Sequence, residues 1–262
     1  MKPDLRIYLI TLAALALAVL LAANVPPRQA ASAATVTHQK LAIPAYFYPG
    51  PIWTKAEKAA SVVGIMIMNP ASGPGTSPDT TYVAEVKRAQ NKGILVLGYV
   101  DTANGTRPAA TAKSEVDKYY TWYKPDGIFY DEADPSGCGK QTYYTALYRY
   151  VKLKSPLSTV VINPGTSIPE CYMTTTDIML NFEGSYSTYL NWSPGSWVYK
   201  YPSGRFWQLV YDTRATKLAN AITLSKKRNA GWVYITNDVL VPDPWDSLPP
   251  TSYWLKELTL VK

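Results

Sequence analysis

Histidine and cysteine are nearly absent: the chain has one histidine, His38, and two cysteines, Cys138 and Cys171. That scarcity excludes a Ser-His-Asp triad, a Cys-His pair and a histidine-built zinc site, so neither metal nor cofactor is expected. Chemistry must run on carboxylates, Tyr, Asn and Lys. No glycine-rich phosphate loop opens any predicted helix, which argues against a doubly wound nucleotide-binding sheet. Basic runs are also missing apart from Lys226-Lys227-Arg228, so a nucleic-acid footprint is not indicated despite a net charge of +7. Phenylalanine appears only 4 times, against 21 Tyr and 8 Trp. Rings with a polar edge suit stacking on sugars as well as packing at a wet surface, which makes carbohydrate the leading ligand class.

The N-terminus has Lys2 and Arg6, an apolar run over 7–23, then Pro26-Pro27 and Ala30-Ala31-Ser32-Ala33-Ala34. This pattern predicts a secretory signal peptide over 1–34, with a retained membrane anchor as the alternative. The mature protein is then expected to be secreted, monomeric and without stable membrane association. Residues 1–34 hold three basic and one acidic side chain, which leaves 23 Lys and Arg against 18 Asp and Glu. Residues 35–262 are long enough for one large domain, and no linker divides them. In an exported chain, Cys138 and Cys171 are expected to pair.

Apolar runs predict strands over 41–47, 62–68, 94–100, 127–130, 159–162, 177–182, 205–210 and 231–235. Most lack alternation, as strands covered on both faces do. Amphipathic spacing predicts helices over 54–60, 80–90, 112–123, 141–154, 216–229 and 252–260. The segment 189–200 holds too many Trp, Pro and Gly to assign. Eight strands alternating with helices in a chain of this size predict an α/β fold, a single (β/α)8 TIM barrel.

In such barrels the active site lies at the C-terminal ends of the strands. Those positions hold Tyr46, Tyr48, Asn69, Tyr99, Asp101, Asp131, Glu132, Asn163, Glu183, Tyr211, Asn237 and Asp238. Asp131 and Glu132 close the strand Gly127-Ile128-Phe129-Tyr130. Adjacent strand residues point to opposite faces, so one of the two is expected to face the cleft. Glu183, two strands later, can face it across a barrel layer. Facing carboxylates are what glycoside hydrolysis needs, one to protonate the leaving oxygen and one to trap the oxocarbenium-like centre. Tyr46, Asn69, Tyr99, Asp101, Asn163, Tyr186, Trp207, Tyr211 and Asn237 are candidates for substrate contact.

Six blocks in order carry a family likeness. They are Ala42-Ile43-Pro44-Ala45-Tyr46-Phe47-Tyr48-Pro49; Asn69-Pro70 with Gly73-Pro74-Gly75; Gly98-Tyr99-Val100; Gly127-Ile128-Phe129-Tyr130-Asp131-Glu132; Asn163-Pro164-Gly165; and Asn181-Phe182-Glu183. Together they resemble the spherulation-specific family 4, or spherulin-4-like, proteins. The resemblance implies a (β/α)8 barrel. Through the related glycoside hydrolase family 135 it also implies endo-cleavage of α-1,4-linked N-acetylgalactosamine in galactosaminogalactan-like polymers. Its functional acids match Asp131, Glu132 and Glu183. The expected roles are Asp131 as nucleophile or stabilising carboxylate and Glu183 as general acid/base. Glu132 would orient substrate or tune Asp131, unless those two exchange roles. The alternative is a non-catalytic cell-wall or spore-coat carbohydrate binder on the same barrel.

Overall fold

A computed structural model describes residues 36–262, so the expected signal peptide over 1–34 lies outside the described residues. Eight parallel strands close into a barrel in sequence order: β1 Lys40–Ala45, β2 Val63–Met68, β3 Leu95–Asp101, β4 Gly127–Asp131, β5 Thr159–Ile162, β6 Ile178–Ser185, β7 Phe206–Tyr211 and β8 Trp232–Ile235. The helices are α1 Pro51–Glu57, α2 Thr80–Gln90, α3 Ala109–Trp122, α4 Gln141–Lys154, α5 Tyr186–Asn191, α6 Leu218–Lys227 and α7 Thr251–Leu260. A 3-10 helix, Glu170–Thr174, stands after β5 where an α-helix would otherwise return the chain. The segment left unassigned in sequence contains the end of α5 and a second 3-10 helix, Ser196–Lys200.

Local chemistry explains the boundaries. The Asp79 carboxylate accepts from the Thr81 and Tyr82 amides and so caps α2. β2 is buried at all six positions, because the sheet covers one side and helices the other. At the start of β4, a Cβ on Gly127 would lie 1.8 Å from the Thr159 carbonyl oxygen, so only glycine lets β4 and β5 approach there.

Inside the barrel, Tyr99, Phe129 and Trp207 stack in one column, with centroid distances of 6.3 Å and 5.7 Å between neighbours. Trp207 is fully buried in it. Above these rings, β6 departs from regular pairing. Leu180 pairs with Trp207 and Phe182 with Gln208, leaving Asn181 as an extra residue. This bulge reverses the alternation, so Phe182 packs outward on Tyr189 and Trp192 while Glu183 turns into the mouth.

The disulfide between Cys138 and Cys171 joins the β4–α4 loop to the 3-10 helix after β5. Across a separation of 33 residues it stabilises the fold by about 4 kcal/mol in the chain-entropy model. It also ties two segments of the rim together.

Candidate active site

β4 ends with Phe129 and Asp131 pointing inward and Tyr130 outward, where the Tyr130 hydroxyl reaches the Leu147 carbonyl of α4. The next residue, Glu132, has φ of 48°, in the left-handed region that non-glycine residues seldom occupy. Its carbonyl is held there by the Asn104 amide at 2.7 Å and the Thr102 hydroxyl at 2.8 Å. That turn separates the two acids. Asp131 stays in the mouth, whereas Glu132 swings toward Asp101 on β3 and hydrogen-bonds its carboxylate. Burial and the Asp101 charge raise the Glu132 pKa.

Asn163, just past β5, links the acids of β4 and β6. Its Nδ2 donates to Asp131 Oδ1 and to Glu183 Oε2, each at 2.7 Å. Its Oδ1 accepts from the Gly165 amide at 2.8 Å, which fixes the amide orientation and aims both N–H bonds at the carboxylates. The two bridged oxygens therefore lie no farther apart than 5.4 Å, twice the bond length. Glu183 Oε1 accepts from the Trp245 indole at 2.9 Å. The Tyr99 hydroxyl and the Glu132 amide lie beside Asp131 and favour its ionised form.

No cation neutralises this pair: none of the ion pairs among the described residues includes Asp131 or Glu183. Burial, then the Glu183 charge, pushes Asp131 up to about 7. Burial raises Glu183 as well, against the Asn163 and Trp245 hydrogen bonds that favour its ionised form. Two close carboxylates in a poorly solvated mouth ionise as a unit and keep one proton between them near neutrality.

Tyr46 meets Tyr99 edge to face at 5.6 Å, and burial together with the Asp131 and Glu183 charges holds its phenol protonated. Tyr211 meets Trp245 edge to face at 6.1 Å, and its pKa is raised by burial and by Glu183. Tyr46, Tyr99, Asn163, Tyr211 and Trp245 thus surround the acids.

The side chains of the other expected contacts make no hydrogen bond with the acid pair. Trp207 is a correction: its ring is fully buried beneath the pair in the aromatic column, where no ligand reaches it. Tyr186 accepts from Asn220 Nδ2 at 2.7 Å, which ties α5 to α6. Asn69 accepts from the Gly73 amide and shapes the loop after β2. Asp101 accepts from the Ala103 amide, and Asn237 is exposed.

Trp245 and its neighbour Asp243 escaped the strand-end reading because they sit in the long loop between β8 and α7. The Asp243 carboxylate accepts from the Trp245 amide at 2.9 Å, and the Trp245 carbonyl accepts from the Tyr46 amide at 3.3 Å. These bonds dock the loop on β1 where the β1–β8 ladder has ended, since only Lys40 and Leu41 pair with β8. A lone Trp between prolines, in Pro242-Asp243-Pro244-Trp245, was the available signal.

Comparison with known proteins agrees with this architecture. Spherulin-4 of Physarum polycephalum is 32% identical over 235 residues, covering 85% of this chain and 70% of that protein. Among solved structures, Aspergillus clavatus Sph3 in complex with GalNAc superposes with a TM-score of 0.74 at 24% identity, covering 86% of this chain and 97% of its own. A chitinase from Rhizomucor miehei superposes at 0.56 with 12% identity, covering 86% and 99%. The family model for spherulation-specific family 4 matches residues 40–261, and the chain belongs to that family.

Proposed function

We propose that this protein is a secreted endo-acting glycoside hydrolase that cleaves an α-1,4-linked N-acetylgalactosamine-containing, galactosaminogalactan-like polysaccharide with Asp131 and Glu183. The observation that carries the reading is the single Asn163 amide donating to both carboxylates. A structural acid needs no second acid brought within 5.4 Å, because the repulsion between them is unfavourable unless one proton is put to use. The substrate class rests on the family resemblance and on the likeness to Sph3, which was crystallised with GalNAc.

We adopt a double-displacement, configuration-retaining reaction, for which about 5–5.5 Å between carboxyl groups is usual, over inversion at about 6.5–9.5 Å, because the two bridged oxygens lie within 5.4 Å. Asp131 attacks the anomeric carbon as the bond to the leaving oxygen breaks, and Glu183 gives its proton to that oxygen. Water then enters, loses its proton to Glu183 and releases the sugar from Asp131, which restores both groups. Asp131 is assigned as nucleophile from the family resemblance; Asp131 accepts from Asn163, and Glu183 accepts from Asn163 and Trp245. Tyr46 and Tyr211 offer ring surface to the sugar on either side.

The test is release of reducing ends from galactosaminogalactan. Asp131→Asn and Glu183→Gln should each lose at least about a thousandfold in kcat while staying folded. Azide should rescue the truncated variants Asp131→Gly and Glu183→Ala with opposite product configurations, inverted for the first and retained for the second. Polymer binding with no new reducing ends from the wild type would establish the non-catalytic alternative instead.

A further inference from the structure

The bulge that turns Glu183 into the mouth sends Asn181 the other way, toward the helical layer. There a cavity of about 100 Å³ lies between the loop after β5 and the 192–198 segment. Its lining includes Ser167, Ile168, Asn181, Trp192, Trp197 and Val198, and no charged side chain takes part. Asn181 is 2% exposed, and its Nδ2 has no hydrogen-bond partner within the described protein. A buried amide donor left unmet is unfavourable by about 1–3 kcal/mol, and among the unmet groups Asn181 is one that lines a cavity.

A relay of neighbours fixes which end of the Asn181 amide meets the cavity. Gln208 Nε2 donates to the Arg228 carbonyl at 3.3 Å and toward Asn181 Oδ1 at 3.4 Å. Gln208 Oε1 takes the Tyr189 hydroxyl, and the Arg228 carbonyl can only accept, so the Gln208 amide cannot be reversed. Asn181 Oδ1 is therefore committed to Gln208, and the Nδ2 donors are left for a ligand acceptor. The indoles are rigidly seated. Trp192 donates to Ser167 Oγ at 2.8 Å and packs on Phe182 at 4.8 Å, while Trp197 packs on Phe206 at 5.8 Å.

We infer that this pocket is a second glycan-binding site, which seats the acetamido group of a 2-acetamido hexose. The inference rests on the reading of the chain as polysaccharide-active. About 100 Å³ accommodates the four heavy atoms of an acetamido group. The carbonyl oxygen would accept from Asn181 Nδ2, the methyl would rest on Ile168 and Val198, and the ring would lie across the indoles at the rim. The neutral lining matches a neutral substituent and disfavours an ammonium or carboxylate. Placed on the outer side of β6, the pocket would hold a polymer strand beside the barrel while another stretch occupies the mouth, raising its effective concentration there.

The test is a two-dimensional proton–nitrogen titration of the Asp131→Asn protein, which cannot turn substrate over, with N-acetylgalactosamine, N-acetylglucosamine and galactose. The Asn181 side-chain amide pair and the Trp197 indole should shift with both acetamido sugars and not with galactose. Asn181→Leu should weaken binding at the pocket about fivefold, the worth of one neutral hydrogen bond. If that variant does not fold, Trp197→Ala supplies the same comparison through the Asn181 amide pair. An unchanged Asn181 pair, or an equal response to galactose, overturns the pocket. The Trp245 indole reports separately on the barrel mouth. If it alone responds, the pocket falls and the catalytic reading stands; if neither responds, both fall.

Discussion

Replacing Asp131 by Asn should stabilise this protein, and should do so more as the pH rises. In the folded chain the Asp131 pKa lies near 7, against an ordinary value of 3.8, a difference of about three units. Each unit is worth 1.36 kcal/mol, which sets an upper limit of about 4 kcal/mol. Because the folded pKa is raised, the favourable contribution of the protonated acid is complete below about pH 4. It is lost as the pH climbs through 7, where the charge must sit beside Glu183. The mouth admits water and the two acids share the effect, so about 1–2 kcal/mol is the amount expected at pH 8. For a domain of this size, 1 kcal/mol moves the melting temperature by about 2–4 °C. Asp131→Asn should therefore melt about 2–8 °C above wild type at pH 8 and close to it at pH 4. Glu183→Gln should behave alike, and the double variant should gain less than the two shifts together because each removes the repulsion felt by the other. Calorimetry at four or five pH values measures this directly and needs no substrate. A melting difference that is absent, reversed or independent of pH would refute the picture of two acids sharing one proton.

The same pair predicts that kcat/KM on polymer falls as the shared proton leaves above about pH 7, a limb that a pH–rate profile would locate. Asn163→Leu keeps the number and branching of side-chain heavy atoms but deletes both bridging donors. It should lower kcat by about a hundredfold or more and move that alkaline limb upward, since the carboxylates lose groups that favour ionisation. On α7, Glu257 is fully buried with its Oε1 on the Ile235 amide, and burial pushes its pKa up to about 8. Glu257→Gln keeps the acceptor, so chemical unfolding should show little change at pH 4 and a gain of at least about 1 kcal/mol at pH 9. Reduction of Cys138–Cys171, or Cys138→Ser, should lower unfolding free energy by about 2–4 kcal/mol, read as a shift in denaturant midpoint.

The eight strands were legible because each is a short apolar run bounded by Gly, Pro, Asn or a carboxylate, and burial on both faces erases alternation. Residues 159–162 and 80–90 match β5 and α2 at both limits. The weaker places were those where packing outweighs local preference. Residues 189–200 fold as helical turns because Trp192 and Trp197 find Phe182 and Phe206 to pack on, contacts that no local pattern encodes. Trp207 illustrates the opposite error. A Trp near a strand end reads as a sugar platform, but its inward parity and position low in β7 bury it in the aromatic column.

What the sequence by itself determined is the barrel and the short list of polar groups at its rim, because strand periodicity and strand-end position are properties of the chain alone. Tertiary structure decided which of those groups meet. The left-handed turn at Glu132 parts it from Asp131, the bulge at Asn181 reverses β6 so that Glu183 faces inward, and the β8–α7 loop folds back to lay Trp245 on Glu183. The first two are backbone events of one or two residues, and the turn and the loop are held by hydrogen bonds from segments remote in sequence, Thr102 on Glu132 and Tyr46 on Trp245. Local patterns cannot carry that information, because the bonds exist only once the barrel has closed.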